Sequence, residues 1–177
     1  MCVIEHSPVI DTRRLRLRAP APQDATDIAR LCDDPDIARM TARMPHPYTR
    51  ADAEQFVARA AGGDPRREHA FLVEHEDLGP VGMVGLFHDA DPWPELGYWV
   101  GRPFWGRGLA TEAVQGALDW ARRRWGKRAV CAGYFHDNPA SGRVLEKAGF
   151  LHTGEVRRLF SRARGAEAET RRMLWLA

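Results

Sequence analysis

Two short stretches carry residue types that can bind or transform a ligand. The first is Gly106-Arg107-Gly108, followed by Leu109-Ala110-Thr111; the second is Asn138-Pro139-Ala140-Ser141. Glycines just ahead of a helix let a ligand approach the main chain closely. The first N–H groups of that helix have no intrahelical acceptors and carry partial positive charge. A phosphate suits such a seat, and Arg107 adds a mobile positive charge. The same residues equally suit a tight strand-to-helix turn with no ligand. In the second stretch Asn138 fits an N-cap with Pro139 at the first helical position, which accounts for Pro139 structurally.

Two phosphate motifs fail against the first stretch. A Walker loop ends in Gly-Lys-Ser/Thr, whereas this turn ends Gly-Leu-Ala-Thr, which disfavours nucleotide hydrolysis. A dinucleotide fingerprint needs Gly or Ala where Thr111 stands, and it follows the first strand of a parallel sheet. Here three other strands precede the turn, so hydride transfer is disfavoured as well.

The elements that must position these residues read as follows. Residues 12–18 alternate Arg and Leu, a strand with one buried face. A short helix opens at Pro22 and Asp24, residues 33–49 are irregular, and a helix covers 49–61. Apolar runs at 71–73 and 81–87 flank a turn with Gly79-Pro80 and form an antiparallel hairpin. A strand over 95–100 feeds the glycine turn, and the helix after it has one apolar stripe from Leu109 to Ala121. A strand over 129–135, a helix over 139–148 stopped by Gly149, and strands over 153–161 and 169–176 complete the chain. The strand–helix–strand unit over 95–135 crosses over right-handedly and makes its two strands parallel neighbours. The apolar end of the last strand, 173–176, is expected to be an exposed edge able to pair in a dimer.

The 177 residues are 44% hydrophobic and 28% charged, with a formal net charge of +2, ordinary values for a globular domain. That charge does not argue for nucleic acid, and no aromatic residues interleave Arg122-Arg123-Arg124 or Arg157-Arg158. Cys2, Cys32 and Cys131 are scattered, without the spacing of a disulfide framework or a zinc site. The start of the chain lacks the pattern of a signal peptide, and no run approaches the roughly 20 apolar residues of a membrane span. The expectation is a cytoplasmic protein with no metal, nucleic-acid or membrane partner, as monomer or homodimer.

The run ELGYWVGRPFWGRGLATEAVQGALDWA and the later DNPASGRVLEKAGF resemble the GNAT superfamily of N-acetyltransferases. More narrowly they are similar to its ribosomal-protein (RimJ/RimL-like) branch, as are the opening DTRRLRLRAP and HPYTRADAEQFV. The resemblance spans about residues 11–176 and implies one domain over 1–177. It implies an α/β (α+β) fold: a single mixed, mostly antiparallel twisted sheet of about seven strands flanked by about four helices. A splayed parallel pair in that sheet would take acetyl-CoA, the acetyl donor. The pyrophosphate would rest on the backbone from Trp105 through Gly106, Arg107, Gly108, Leu109 and Ala110 to Thr111. Trp105 departs from the Gln or Arg of the wider family. Trp99 and Val100 would pair their backbone with the pantetheine arm, Asn138 would bond that arm from the other side, and Ser141 would sit near the thioester sulfur. Leu145 stands where many relatives carry a tyrosine, and it cannot donate a proton.

The chemistry so implied is direct transfer of an acetyl group to a primary amine. An alkyl amine has a reference pKa near 10, an α-amine about 8, so it must lose a proton before attack. A carboxylate working through water can take that proton, and Glu95 at the head of the strand before the glycine turn is the first candidate, a surface Glu being the plain alternative. Glu112 reads as a first-turn carboxylate complementing a helix dipole. His75, His88 and His136 are scattered, though His136 lies near the cleft, and Cys131 sits in an apolar run unsuited to a nucleophile. The acceptor is a small-molecule or peptide amine. Its groove would lie between residues 22–61 and 160–170, where Arg162, Arg164, Glu167 and Glu169 mix both charges. A non-catalytic acyl-CoA-binding module is the alternative from another class.

Overall fold

A computed structural model of the protein describes residues 8–88 and 91–177; Cys2, the N-terminal segment, Asp89 and Ala90 lie outside the described residues. In chain order the elements are β1 (Ile10–Asp11), β2 (Leu15–Arg18), α1 (Ala25–Cys32), α2 (Pro35–Ala38), α3 (Arg50–Ala61), β3 (Glu68–His75), β4 (Gly79–Phe87) and β5 (Glu95–Val100). After the glycine turn come α4 (Leu109–Arg123), β6 (Ala129–Phe135), α5 (Pro139–Lys147), β7 (Leu151–Ser161) and β8 (Ala166–Leu176).

The period-two alternation of the strands places helices on both faces of an 8-stranded sheet ordered β1-β2-β3-β4-β5-β6-β8-β7. Leu15, Leu17, Phe71, Val73, Leu86 and Leu96 pack with Val114, Ala117 and Leu118 of α4 and Leu145 of α5. The residues between them face the other way: Leu72 and Met83 pack with Ile28 of α1 and Ala53 and Val57 of α3. Neighbouring strands run antiparallel throughout except β5 and β6, the parallel pair expected of the right-handed crossover through α4.

The strand and helix count exceeds the expectation for local reasons. The run 12–18 is not one strand, because Thr12 turns: its hydroxyl donates to the Leu15 carbonyl at 3.1 Å, and β1 folds back on β2. The proline-rich segment holds the short α2, capped by Asp34, whose carboxylate accepts the Asp36 N–H at 2.8 Å. The C-terminal strand corrects the expectation of an exposed edge. β8 inserts between β6 and β7, and Met173 is 0% exposed. The edge is β7, whose polar residues tolerate water, although Leu151, Val156 and Phe160 are exposed along it.

Glu112 does more than complement a dipole. Its carboxylate accepts the Thr12 hydroxyl at 2.8 Å and the Arg14 backbone N–H and Nε, both at 2.7 Å. Arg14 in turn donates from Nη1 to the Arg107 carbonyl at 3.1 Å, so the β1–β2 turn clamps the glycine turn. Burial opposes the Glu112 charge, yet the bonds from Thr12 and Arg14 prevail and hold the carboxyl below its ordinary range. A depressed carboxyl stabilises the fold above its unfolded pKa of about 4.3, and that contribution fades as pH falls through the folded value. Glu112→Gln should therefore cost roughly 1 kcal/mol at pH 7, Arg14 being part-exposed, and much less at pH 3. Urea denaturation at the two pH values measures the difference; an equal loss at both would contradict the ionic clamp.

Candidate active site

β5 and β6 pair over only Glu95↔Cys131 and Leu96↔Ala132, then separate. Each stays paired on its outer side, β5 with β4 to Val100 and β6 with β8 to Phe135. The inner backbone edges beyond Leu96 and Ala132 thus face a gap, and main-chain polar groups in a gap need partners. The gap is the centre of a cleft of about 1400 Å³; Glu95, Ser141 and the residues expected to hold the donor line it except Arg107, and of the expected acceptor-groove charges Arg162 lines it while Arg164, Glu167 and Glu169 do not.

At one end is the glycine turn. Gly106 and Gly108 both have φ of 75°, a left-handed conformation that side chains resist, which is why glycine occupies both positions. Gly108 is the N-cap of α4 and supplies no side chain, whereas α3 is capped by Thr49 and α5 by Asn138. The first N–H groups of the 15-residue α4 are therefore left open for an anion. The side chain of Arg107 is exposed and off the cleft, and its carbonyl is held by Arg14. Trp105 donates its indole N–H to the Val100 carbonyl at 2.6 Å, stapling the turn to the end of β5. That bond already uses one lone pair of the carbonyl expected to face a ligand.

At the centre, Asn138 accepts the Ser141 N–H at 3.2 Å through its side-chain oxygen, the cap expected of it. The Ser141 hydroxyl lies 2.7 Å from the Tyr98 hydroxyl, and Tyr98 also donates to the Ser141 carbonyl at 3.2 Å. Burial pushes the Tyr98 hydroxyl up to about 12, with the Ser141 bond pulling the other way, so it stays a proton donor at neutral pH. Sequence reasoning missed Tyr98. The signal was its parity with Leu96 and Val100, which turns it toward α4 and α5.

On the opposite face of the sheet, Glu95 pairs with Arg172 at 3.1 Å. Arg172 is 4% exposed and also pairs with Asp91 at 2.7 Å, and Asp91 takes Arg157 at 3.0 Å. Burial works against the Arg172 charge; Glu95, Cys131 and Asp91 outweigh it and raise the guanidinium above its ordinary range. Asp91, Glu95 and Cys131 bring one potential ligand atom each within 4.8 Å of the others. The group does not suit a metal ion, because Arg172 already supplies the cation. Burial foremost, with Glu95 and Asp91 adding and Arg172 opposing, pushes the Cys131 thiol up to about 11, far from a thiolate nucleophile. Arg172 and Asp91 were also missed, because the place of β8 inside the sheet, which buries Arg172, has no signal in the sequence. His136 is exposed and does not line the cleft.

Comparison with known proteins agrees with this geometry. The family model described as an acetyltransferase (GNAT) domain matches residues 14–151. YoaA of Bacillus subtilis (strain 168), an N-acetyltransferase by name, is 26% identical over 153 residues, covering 85% of this chain and 86% of its own. Among solved structures, Mycobacterium smegmatis RimJ in complex with CoA-disulfide superposes with a TM-score of 0.84 at 19% identity, over 97% of this chain and 90% of that one. Spermidine N-acetyltransferase from Vibrio cholerae, in complex with CoA and spermine, gives 0.76 at 21% identity, over 93% and 96%. The chain belongs to the GNAT acetyltransferase family, and it is an acyltransferase of the N-acetyltransferase kind. No helix among the described residues is long and apolar enough to cross a membrane.

Removing Arg172 should be costly, since it leaves Asp91 and Glu95 without their buried cation. Arg172→Leu should lose roughly 3 kcal/mol of stability. Urea unfolding tests this, and a loss under about 1 kcal/mol would mean that water screens the network.

Proposed function

We propose that this protein transfers an acetyl group from acetyl-CoA directly to a primary amine, either a protein N-terminus or a small-molecule amine. The observation that carries the reading is the opened β5–β6 gap running from the uncapped N-terminus of α4 to the Tyr98–Ser141 hydroxyl pair, with Glu95 on the other face. The main-chain amides from Gly106 to Thr111 would seat the donor's pyrophosphate, with Trp105 fixing the turn rather than touching phosphate. The Trp99 backbone, the Val100 backbone in part and the Asn138 amide nitrogen would hold the pantetheine arm.

Three groups would then act in sequence. Glu95, its Oε2 fixed by Arg172, keeps Oε1 for a water or for the amine itself, and draws off the proton that must leave before attack. A backbone N–H of the open β5 edge stabilises charge developing on the attacked carbonyl oxygen. Ser141 would support the departing thiolate, and Tyr98, whose hydroxyl lies 2.7 Å from the Ser141 hydroxyl, would fix that hydroxyl in place beside it. A thiol with a reference pKa of about 8.5 needs no stronger acid.

Thiol release from acetyl-CoA over a panel of amines is the direct test, and binding of acetyl-CoA without release would identify a non-catalytic binding module instead. Glu95→Gln should lower kcat about a hundredfold; retained activity would reject it as the base. Tyr98→Phe should lower kcat roughly tenfold with little change in KM for acetyl-CoA. Because Tyr98 titrates only near 12, wild-type kcat should show no loss from its ionisation up to about pH 10. A falling limb centred below pH 10 that disappears in Tyr98→Phe would contradict this.

A further inference from the structure

Gly85, Gly97 and Gly133 stand inside strands, on the face of the sheet that carries Glu95. There β4 and β5 present three cross-strand pairs in succession: Met83–Trp99, Gly85–Gly97 and Phe87–Glu95. Ala70 of β3 lies beside Gly85. On β6, Gly133 is two residues beyond Cys131, as Gly97 is beyond its partner Glu95. The row Ala70, Gly85, Gly97, Gly133 thus crosses four strands with nothing larger than a methyl, and every member lines the cleft.

Glycine inside a strand costs stability and marks either a packing demand or a close approach. The packing demand exists at Gly133, where a β carbon would lie 2.8 Å from Thr170 Cγ2. It does not exist at the other two, and neither has a positive φ. A β carbon at Gly85 would meet only the His69 carbonyl oxygen, at 3.6 Å, and one at Gly97 only Phe87 Cε1, also at 3.6 Å; both are ordinary contacts. The fold does not ask for glycine there, whereas a ligand lying on the sheet would. A second observation marks the gap end of the row. Thr170, 3% exposed, lines the cleft, and its hydroxyl has no hydrogen-bond partner among the described residues. A buried hydroxyl left unpaired is costly, and an N–H of a ligand would pair it.

The surroundings restrict what lies on this floor. Met44, Tyr48, Phe56 and Trp99 pack against the core under α1 and α3 and also line the cleft. Phe87 closes the side next to Glu95, with the Arg43 guanidinium 4.4 Å from its ring centroid. The floor has no hydrogen bonds to give: β3, β4 and β5 are paired with one another along this stretch, so their peptide groups are satisfied within the sheet. A peptide backbone laid across it would bury polar groups without partners. On the rim Asp52 and Glu68 balance Arg59 and Arg162, so no net charge draws in a polycation. A flat apolar group meets all of these conditions.

We propose that the acceptor is a small primary amine bearing an aromatic ring, an arylalkylamine, with the ring on Gly85 and Gly97 and the nitrogen in the gap beside Glu95 and Thr170. This rests on the acetyltransferase reading above. Adjacent strands lie about 4.8 Å apart, so a ring two carbons from the nitrogen reaches from the gap onto the glycine pair.

The test uses the full chain with acetyl-CoA and five acceptors: phenethylamine, cyclohexylethylamine, ethylamine, spermidine and a peptide with N-terminal alanine. Phenethylamine should exceed ethylamine by at least about tenfold in kcat/KM, the worth of burying a ring, and should exceed its thicker cyclohexyl analogue. Gly85→Ala and Gly97→Ala each place a methyl on the floor. Each should lower the phenethylamine-to-ethylamine ratio about tenfold, with a urea midpoint no lower than that of the wild type. Arg124→Gln, exposed and away from the cleft, should preserve the ratio. The inference is overturned by an unchanged ratio in both glycine variants, by phenethylamine turnover no better than that of ethylamine or the cyclohexyl amine, or by preference for spermidine or the peptide. A fallen midpoint in both glycine variants would also overturn it, since the fold itself would then require glycine. Calorimetry with acetyl-CoA separates this failure from that of the reading beneath it. Binding of acetyl-CoA with no preference among amines sinks the acceptor assignment alone, whereas no binding sinks the donor reading.

Discussion

The cleft depends on where one strand pair stops. β5 and β6 share two residue pairs and then separate, while β4 and β8 keep each of them in register on the outside. Without those outer partners, opening a sheet at its centre would strand peptide groups on both edges and unravel the strands. With them, the opening leaves one exposed backbone edge per strand. The same parallel pair requires the crossover helix α4, and a right-handed crossover sets its N-terminus at the end of β5 where the gap is widening. Tyr98, two residues beyond the last pair, reaches the first turn of α5 and joins that helix to the open edge.

Charge is arranged around the gap so that little of it is free. Arg172 crosses from β8 to β5 and satisfies two carboxylates on the inner face of the cleft. An ion group of this kind is poor as a source of stability, because desolvation offsets much of its attraction. It does fix geometry: a carboxylate bonded through one oxygen to a buried guanidinium has few rotamers left. On the outer rim Arg59, Arg162, Asp52 and Glu68 line the cleft without ion pairs at contact distance among the described residues. The cleft therefore offers a neutralised floor and a rim of mixed charge.

Much of this was legible because it is local. The alternation in β5 and β6, the stripe on α4, the glycines and the Asn138 cap are short-range patterns, and the structure keeps them within a residue or two. What failed was long-range. Thr12 and Glu112 are far apart in sequence, so nothing in 12–18 announced the break that their 2.8 Å bond imposes. Arg172 reads as surface charge until β8 is known to lie inside the sheet, and the expected C-terminal edge failed for the same reason: strand order is not written in strand pattern. Tyr98 was hidden among neighbouring aromatics that face opposite sides.

Trp105 shows how a departure from the family frame is accommodated. A Gln or Arg at this position would offer a polar side chain to a phosphate. Trp105 instead spends its one donor on the Val100 carbonyl at 2.6 Å, while its ring lies 5.5 Å from the Arg102 guanidinium. The turn is then gripped on both sides, by Trp105 from β5 and by Arg14, itself locked to Glu112, through the Arg107 carbonyl. A cradle made of peptide N–H groups needs those groups aimed in one direction more than it needs an added side chain, because each is a fixed partial charge. In the proposed phosphate seat, rigidity gained through the indole would substitute for that polar contact. It also explains why Arg107, between two left-handed glycines, can point to solvent while its carbonyl stays pinned.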